Sequence, residues 1–316
     1  MSLIPRVIVR RWLETVLALF SLALLYCIWR PDYMPRMFRA LLLKEDVSLT
    51  LWDWIIGAMG AGLLGIRHAE ALGEMGGVPV LFDINPDRMA RAQDHLKATL
   101  EECPAGHVVD ITDREAVSRA VKRVVDRYGR IDILINNAAM TVESSSSVPG
   151  YFNPFEAYPI ELWEQALKVS LTGAFLCTQA VGCQMKTQRS GVILNIASDV
   201  GVISPDHRLY QPHGDYAGTP FNTPLSYAVV KAGLISFTRY LATYWAAQGI
   251  RVNTLSPGGV YNNHDEAFVK RLTQLIPLGR MAAKDEYKGA IVFLVSDASA
   301  FMTGFNVIMD GGRSCW

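Results

Sequence analysis

The chain has 316 residues, 50% of them hydrophobic and 19% charged, with Lys+Arg 30 balancing Asp+Glu 30 for a formal net charge of +0. That length supports one large α/β domain or two small ones, and the absence of a basic tract argues against a nucleic-acid partner. The cysteines (Cys27, Cys103, Cys177, Cys183, Cys315) are widely spaced and show no metal-type pairing, so no metal centre is expected and a reducing compartment suits them better than a disulfide framework.

Residues 1–45 differ from the remainder. Residues 15–29 form an uncharged run, TVLALFSLALLYCIW, preceded by Arg6, Arg10 and Arg11 and followed by Arg30, Arg36 and Arg39. The run is short for a membrane span, which takes about twenty apolar residues. Four roles are open to it: a signal anchor or membrane-associated helix over residues 12–29, a cleaved secretory signal, an apolar helix docked on a soluble domain or dimer partner, and a non-native extension. No small-x-small cleavage site follows, which weighs against the cleaved signal. Basic residues on both flanks leave its orientation open. The expected division is an N-terminal apolar helical segment over 1–45, a candidate membrane anchor, and one larger domain over 46–316.

From about residue 49 short apolar runs alternate with amphipathic segments. Runs at 54–56, 78–82, 108–109, 131–135, 192–196, 252–255 and 307–309 predict buried parallel strands. Segments at 66–74, 86–102, 114–128, 161–184, 227–248 and 284–295 predict helices. This alternation predicts an α/β fold: a Rossmann-like, doubly wound parallel sheet of seven strands with the N-terminal apolar helix appended.

Gly60-Ala61-Gly62-Leu63-Leu64-Gly65 follows the first predicted strand and opens the first helix. Small residues there let the backbone approach a pyrophosphate, and the helix N-terminus attracts its charge. Gly60, Gly62, Leu64 and Gly65 are the phosphate-side candidates. Asp83 ends the second strand, where a carboxylate binds ribose hydroxyls and repels a 2′-phosphate, so NAD is expected and NADP less so. Asp110, followed by Ile111, ends the third strand and is a candidate for the adenine side. Each of the two carboxylates has a plainer reading as a strand-end cap.

The stretch 198–231 concentrates the reactive side chains. Ser198 ends an apolar run, and Ser226-Tyr227-Ala228-Val229-Val230-Lys231 opens a long helix. Tyr227 and Lys231 are i and i+4, so they share a face. An ammonium beside a phenol favours the phenolate, and a serine nearby can hydrogen-bond a substrate oxygen. Taken alone, Tyr-x-x-x-Lys is more often an ordinary helix turn.

The ordered set resembles the short-chain dehydrogenase/reductase family over roughly residues 49–312. It comprises the glycine turn, Asp83, Val109-Asp110, Asn136-Asn137-Ala138-Ala139, Asn195-Ile196-Ala197-Ser198, Tyr227-x-x-x-Lys231, Arg251-Val252-Asn253-Thr254-Leu255-Ser256-Pro257-Gly258, and Thr303-Gly304 with Asp310-Gly311-Gly312. The resemblance implies an NAD(P)-dependent oxidoreductase that interconverts a secondary alcohol and a carbonyl by hydride transfer. Tyr227 would be the acid/base. Lys231 would hold the nicotinamide ribose and depress the tyrosine pKa, and Ser198 would hydrogen-bond the reacting oxygen. Asn137 and Ala138 would wall the cofactor, and Pro257 and Gly258 would lie along the nicotinamide. The chain departs from the family pattern in two places. Ala58 and Met59 stand where Thr-Gly is usual, which puts cofactor affinity in question if Met59 needs positive φ. Ser170 stands where the family has an asparagine that holds a relay water; it is kept as a candidate catalytic residue, with a structural role equally open.

The insert at 202–216, rich in aromatics and hydrogen-bonding groups, is expected over the site mouth, either as a lid for a polar or sugar-like substrate with Arg208 or His207 in contact, or as a surface loop. Residues 261–266 resemble the family's substrate loop. The surroundings of Ser198 and of Pro257 are similar to oxidoreductases of bacterial flagellin and surface-glycan modification, which implies a sugar or nucleotide-sugar precursor as substrate. Two alternatives stay open: a non-catalytic dinucleotide-binding protein on this fold, and an epimerase or dehydratase that retains its NAD. The family resemblance also implies a homodimer or homotetramer through the long helices at 161–184 and 227–248. Cofactor use implies a cytoplasmic location, with attachment to the inner face of a membrane if residues 12–29 anchor the chain.

Overall fold

The computed structural model describes residues 55–100, 104–210, 215–216, 219–220 and 223–316. The expected N-terminal apolar helix, Cys27 and Cys103 lie outside the described residues. Asp53–Trp316 cluster as one compact unit.

The strands are β1 (Ile55–Met59), β2 (Val78–Asp83), β3 (Ala105–Val108), β4 (Ile133–Asn136), β5 (Gly191–Ile196), the short β6 (Asp215–Tyr216) and β7 (Thr219–Pro220), β8 (Ile250–Pro257) and β9 (Asn306–Met309). The main sheet is 7-stranded in the order β3-β2-β1-β4-β5-β8-β9, and every neighbouring pair is parallel. The order reverses between β1 and β4, which opens the crevice where doubly wound sheets bind ligands. Strands β4 and β5 are buried throughout, as continuous apolar runs flanked by helices on both faces require.

The helices are α1 (Leu63–Glu74), α2 (Pro86–Thr99), α3 (Arg114–Tyr128), α4 (Ile160–Gln188), α5 (Leu225–Trp245), α6 (Glu266–Thr273) and α7 (Lys288–Val295). Their ends follow local chemistry. Asn85 accepts from the Arg88 N–H with proline at the first helical position of α2, Asp113 caps α3, and Gly129 closes α3 in the left-handed region. Among the described residues, the one helix long and apolar enough to cross a membrane is the mid-chain α4, half buried inside the unit. A π turn at Lys168–Thr172 interrupts it. The prediction missed α6, capped by the Asp265 side chain on the Phe268 N–H, and the antiparallel β6–β7 pair inside the insert.

One core cluster includes Val80, Val121, Leu134, Ile193, Val252 and Trp245; another, including Ile133, Leu194, Leu255 and Ile291, packs α7 against the sheet. Between strands and helices runs a buried polar ladder. Asn136 Nδ2 donates to Thr178 Oγ1 at 2.9 Å and to Asn195 Oδ1 at 2.8 Å. Asn195 Nδ2 donates to Thr238 Oγ1 at 2.7 Å, and Thr254 Oγ1 donates to the same hydroxyl at 2.6 Å. The ladder fixes β4, β5 and β8 against α4 and α5, because stranding any one member leaves a buried polar group unsatisfied.

Candidate active site

The carboxyl edge of the sheet opens into a cavity of about 740 Å³. It gathers Gly60, Gly62, Leu64, Asp83, Asp110, Ile111, Asn137, Ala138, Ser198, Tyr227, Lys231, Pro257 and Gly258 on one continuous wall. Gly65 and Ser170 do not line it.

At the nucleotide end, the left-handed corner falls on Gly60, with φ +95, while Met59 pairs in β1 opposite Phe82 and Asn136. The turn therefore makes no demand on Met59 for the backbone that favours glycine. A Cβ on Gly65 would lie 1.8 Å from the Gly60 carbonyl oxygen, so Gly65 acts by letting the first turn of α1 close over the strand end. Asp83 is buried, with Oδ2 accepting from the Ala61 N–H at 2.8 Å and Oδ1 from the Asn85 N–H at 2.8 Å. Arg88 Nη1 stands 3.4 Å from Asp83 Oδ2. Asp110 accepts from the Thr112 N–H at 2.8 Å, which orders the turn after β3.

At the reaction end, Ser198 follows β5 and Tyr227 lies in the first turns of α5. Lys231 is buried one turn on. Its Nζ donates to the Ile196 carbonyl at 2.7 Å and stands 5.5 Å from the Tyr227 ring centroid. Burial pulls the Lys231 ammonium down to about 8. Burial pushes the Tyr227 phenol up to about 12; a hydrogen bond with Ser198 opposes the rise and the Asp199 carboxylate adds to it. The direction is thus opposite to the depression expected from Lys231, and desolvation is its largest cause.

Ser170 is fully buried in the π turn, and its hydroxyl accepts from the Met140 N–H at 3.1 Å. This fastens α4 to the chain leaving β4. From the insert, Pro205, Leu209 and Tyr210 line the cavity. Arg208 and His207 do not: the Arg208 guanidinium is 87% exposed and paired with Asp206 at 2.8 Å.

Sequence reasoning missed several lining residues. Asp199 sits directly after Ser198, and Arg313 reaches it from the C-terminal turn at 2.7 Å. Asp199 was available as an acidic neighbour of the serine, whereas no local pattern marked Arg313. On the substrate side, Phe268 was missed; it stacks on Tyr210 of the expected insert at 5.5 Å and on His264 of the expected substrate loop at 5.7 Å, all three on the cavity wall. Only the fold of α6 brings these rings together. Among the described residues, no cluster of His, Cys, Asp or Glu could hold a metal.

Known proteins give the same picture. The model of the short chain dehydrogenases matches residues 54–210, and that of the enoyl-(acyl carrier protein) reductases matches 214–314. The chain is 31% identical over 274 residues to an NAD-dependent glycerol dehydrogenase of Listeria innocua, covering 84% of this chain and 96% of the relative. It is 34% identical over 257 residues to a 3-oxoacyl-(acyl-carrier-protein) reductase of Thermotoga maritima, covering 78% of this chain and 93% of the relative. An NAD+-bound xylitol dehydrogenase superposes with a TM-score of 0.71 at 28% identity, over 82% of this chain and 98% of that one. With its seven-stranded parallel sheet, its glycine turn and these matches, the chain belongs to the short-chain dehydrogenases/reductases, NAD(P)-dependent oxidoreductases acting on CH–OH groups.

Proposed function

We propose that the protein interconverts a secondary alcohol and a carbonyl on a polyhydroxylated, sugar-like substrate, using NAD, with Ser198, Tyr227 and Lys231 as the reacting set. The observation that carries this reading is the convergence of these three side chains on one cavity that also holds Asp83 and the glycine turn. The cradle suits a dinucleotide. Gly62 opens α1 with no side-chain cap, so first-turn N–H groups without intrahelical acceptors face the cavity where a pyrophosphate would sit. Asp83 would hold the adenosine ribose, with Asp110 and Ile111 beside the adenine and Asn137, Ala138, Pro257 and Gly258 along the nicotinamide. The bound cofactor carries the hydride; the protein positions it and moves the proton.

Tyr227 holds a proton at Oη, and in reduction it delivers that proton to the carbonyl oxygen. In oxidation it receives the hydroxyl proton. Lys231 would bind the nicotinamide ribose and place a positive charge beside the ring. Ser198 orients the reacting oxygen, while Ser170 positions the α4 backbone and stands away from the wall. The stacked Tyr210, Phe268 and His264 offer flat apolar faces beside polar groups, an arrangement suited to a sugar-like ring. The relatives named for glycerol and xylitol fit a polyol or sugar, and the 3-oxoacyl-(acyl-carrier-protein) reductase fits an acyl chain, so the polyol reading rests on the cavity wall rather than on the relatives. A glycan or nucleotide-sugar precursor is the finer version of the same reading.

The assembly we infer is a homodimer or homotetramer through α4 and α5, which leave Phe175, Tyr240 and Tyr244 at 42%, 65% and 62% exposure. The location we infer is cytoplasmic: the described cysteines, Cys177, Cys183 and Cys315, are all free, as a reducing compartment keeps them. The test is a fluorescence titration of the full chain with NADH and NADPH, followed by a turnover screen over polyols, ketoses and sugar nucleotides. Saturable NADH binding, weaker NADPH binding and turnover of a polyhydroxylated compound are expected. Tight nucleotide binding with no turnover of any such compound would overturn the substrate assignment.

A further inference from the structure

Tyr287, the residue before α7, is a phenol in an apolar setting. It belongs to the core cluster of Leu255, Ile291 and Leu294 and is 3% exposed. A buried phenol needs a partner for its hydroxyl. Here the hydroxyl reaches the carboxyl edge of the sheet, where it donates to the Gly258 carbonyl oxygen at 3.1 Å and to the Met309 carbonyl oxygen at 3.2 Å. One proton is shared between the two acceptors. The Met309 carbonyl also accepts from the Gly258 N–H at 2.8 Å. The ladder between β8 and β9 ends at the pair Pro257 and Met309. Tyr287 therefore closes the seam one residue past the last strand pair and engages the Gly258 carbonyl that the ladder no longer reaches.

The residues that follow are fastened in turn. The Gly259 carbonyl accepts from the Ala282 N–H at 3.0 Å, and the Tyr261 N–H donates to the Ala282 carbonyl at 2.9 Å. Gly258, Gly259 and Val260 line the cavity, whereas Tyr287, Met309 and Ala282 do not, so the anchors stand behind the wall. The backing is close: a Cβ on Gly258 would lie 2.8 Å from the Asp310 Cα. We infer that Tyr287 is a positioning residue for the nicotinamide half of the cofactor: its hydroxyl fixes the Gly258 peptide, and through it the edge from Gly258 to Val260 against which the ring lies. The inference rests on the proposal that Pro257 and Gly258 run along the nicotinamide, and adds to it a residue outside the cavity, carried by the start of α7. A tyrosine that only filled the core would act on the whole unit. A positioning tyrosine acts on one half of the dinucleotide, because the glycine turn, Asp83 and Asp110 meet the other half at the far end of the wall.

The test needs no substrate. Full-length wild type and Tyr287→Phe are titrated by calorimetry with NADH and with ADP-ribose, which lacks the nicotinamide. In the variant NADH affinity is expected to fall about fivefold to tenfold, the scale of one hydrogen bond, while ADP-ribose affinity stays within about twofold of wild type. Urea midpoints read the core role of the ring separately. An equal loss for both ligands, as a core contact would give, or no loss for either, would overturn the inference. Should Tyr287→Phe fail to fold, hydrogen–deuterium exchange of the wild type decides. NADH is expected to slow exchange at 258–261 and at 286–290 together, and ADP-ribose at neither; protection by both ligands, or at 258–261 alone, would overturn the inference. A wild type that binds ADP-ribose as tightly as NADH, or binds neither, overturns the cofactor proposal itself and this inference with it.

Discussion

Asp83 and Asp199 stand at opposite ends of one cavity and look alike: each is a buried carboxylate at the carboxyl edge of the sheet that accepts backbone N–H groups and faces an arginine. The arginines differ. Arg88 is 40% exposed and 3.4 Å from Asp83, whereas Arg313 is 10% exposed and 2.7 Å from Asp199. An exposed pair contributes about 0–1 kcal/mol and can part. A buried pair is held, because losing one partner strands a charge at a cost of about 3–5 kcal/mol. The two ends therefore differ in how firmly the arginine is held: Arg88 can part from Asp83, whereas Arg313 is fixed on Asp199.

The largest effect that could break this comparison is at Tyr227. Tyr227→Phe is expected to cut turnover about a thousandfold, within the range of general acid–base catalysis, with NADH affinity unchanged within a few-fold. Steady-state rates beside a fluorescence titration measure both, and a variant keeping a tenth of its activity removes the proton-transfer role. Next comes Gly65→Ala. Its Cβ has to displace the Gly60 carbonyl, 1.8 Å away, so NADH affinity should drop tenfold or more. Stability should fall by about 1–3 kcal/mol in urea unfolding. Normal binding would mean the nucleotide end is not set by this turn. Asp83→Asn keeps an acceptor for the Ala61 N–H and removes the charge; the preference for NADH over NADPH should narrow about tenfold, read from paired titrations.

The smallest effect sharpens the comparison with a buried group that has no partner. His68 in α1 is fully buried, neither ring nitrogen has a hydrogen-bond partner, and burial lowers its pKa from 6.5 to about 3. The folded state holds it neutral while the unfolded chain protonates it below 6.5. Stability from this site is therefore present above about pH 6.5 and lost as pH falls towards 3. The loss is about 1.4 kcal/mol by pH 5.5. His68→Leu should flatten that part of the stability–pH curve, measured by urea midpoints, and an unchanged slope would locate the acid sensitivity elsewhere.

How much of this was legible in the sequence depended on whether the signal was local. The period of α3 and the Asp113 cap with Gly129 mark that helix at Arg114–Tyr128, where it was expected. Asp83 and the glycine turn announce themselves through a strand end followed by small residues. Strand β8 runs longer than its apolar core because Ile250 and Pro257 extend the pairing with β5 and β9, a gain that only neighbouring strands supply. Ser170 stands where the family has an asparagine, and only the structure shows its hydroxyl accepting from the Met140 N–H. Met59 looked strained only while the positive φ was assigned to it; the corner lies one residue later. Arg208 looked like a substrate contact until Asp206, two residues before it, proved its partner. Arg313 could not be found from the chain, because its meaning lies in a side chain 114 residues away.

Asn136, Thr178, Asn195, Thr238 and Thr254 share one run of hydrogen bonds, so none can swing out without stranding a buried neighbour. Strands β4, β5 and β8 must then part together or not at all. Their central amides should be the last to exchange with deuterated solvent, at the rate of whole-unit unfolding. Ser198 leaves the end of β5, and Lys231 rises from the helix that carries Thr238. The reaction end is thus hung from what should be the slowest-exchanging part of the described residues, like a tool clamped in a vice.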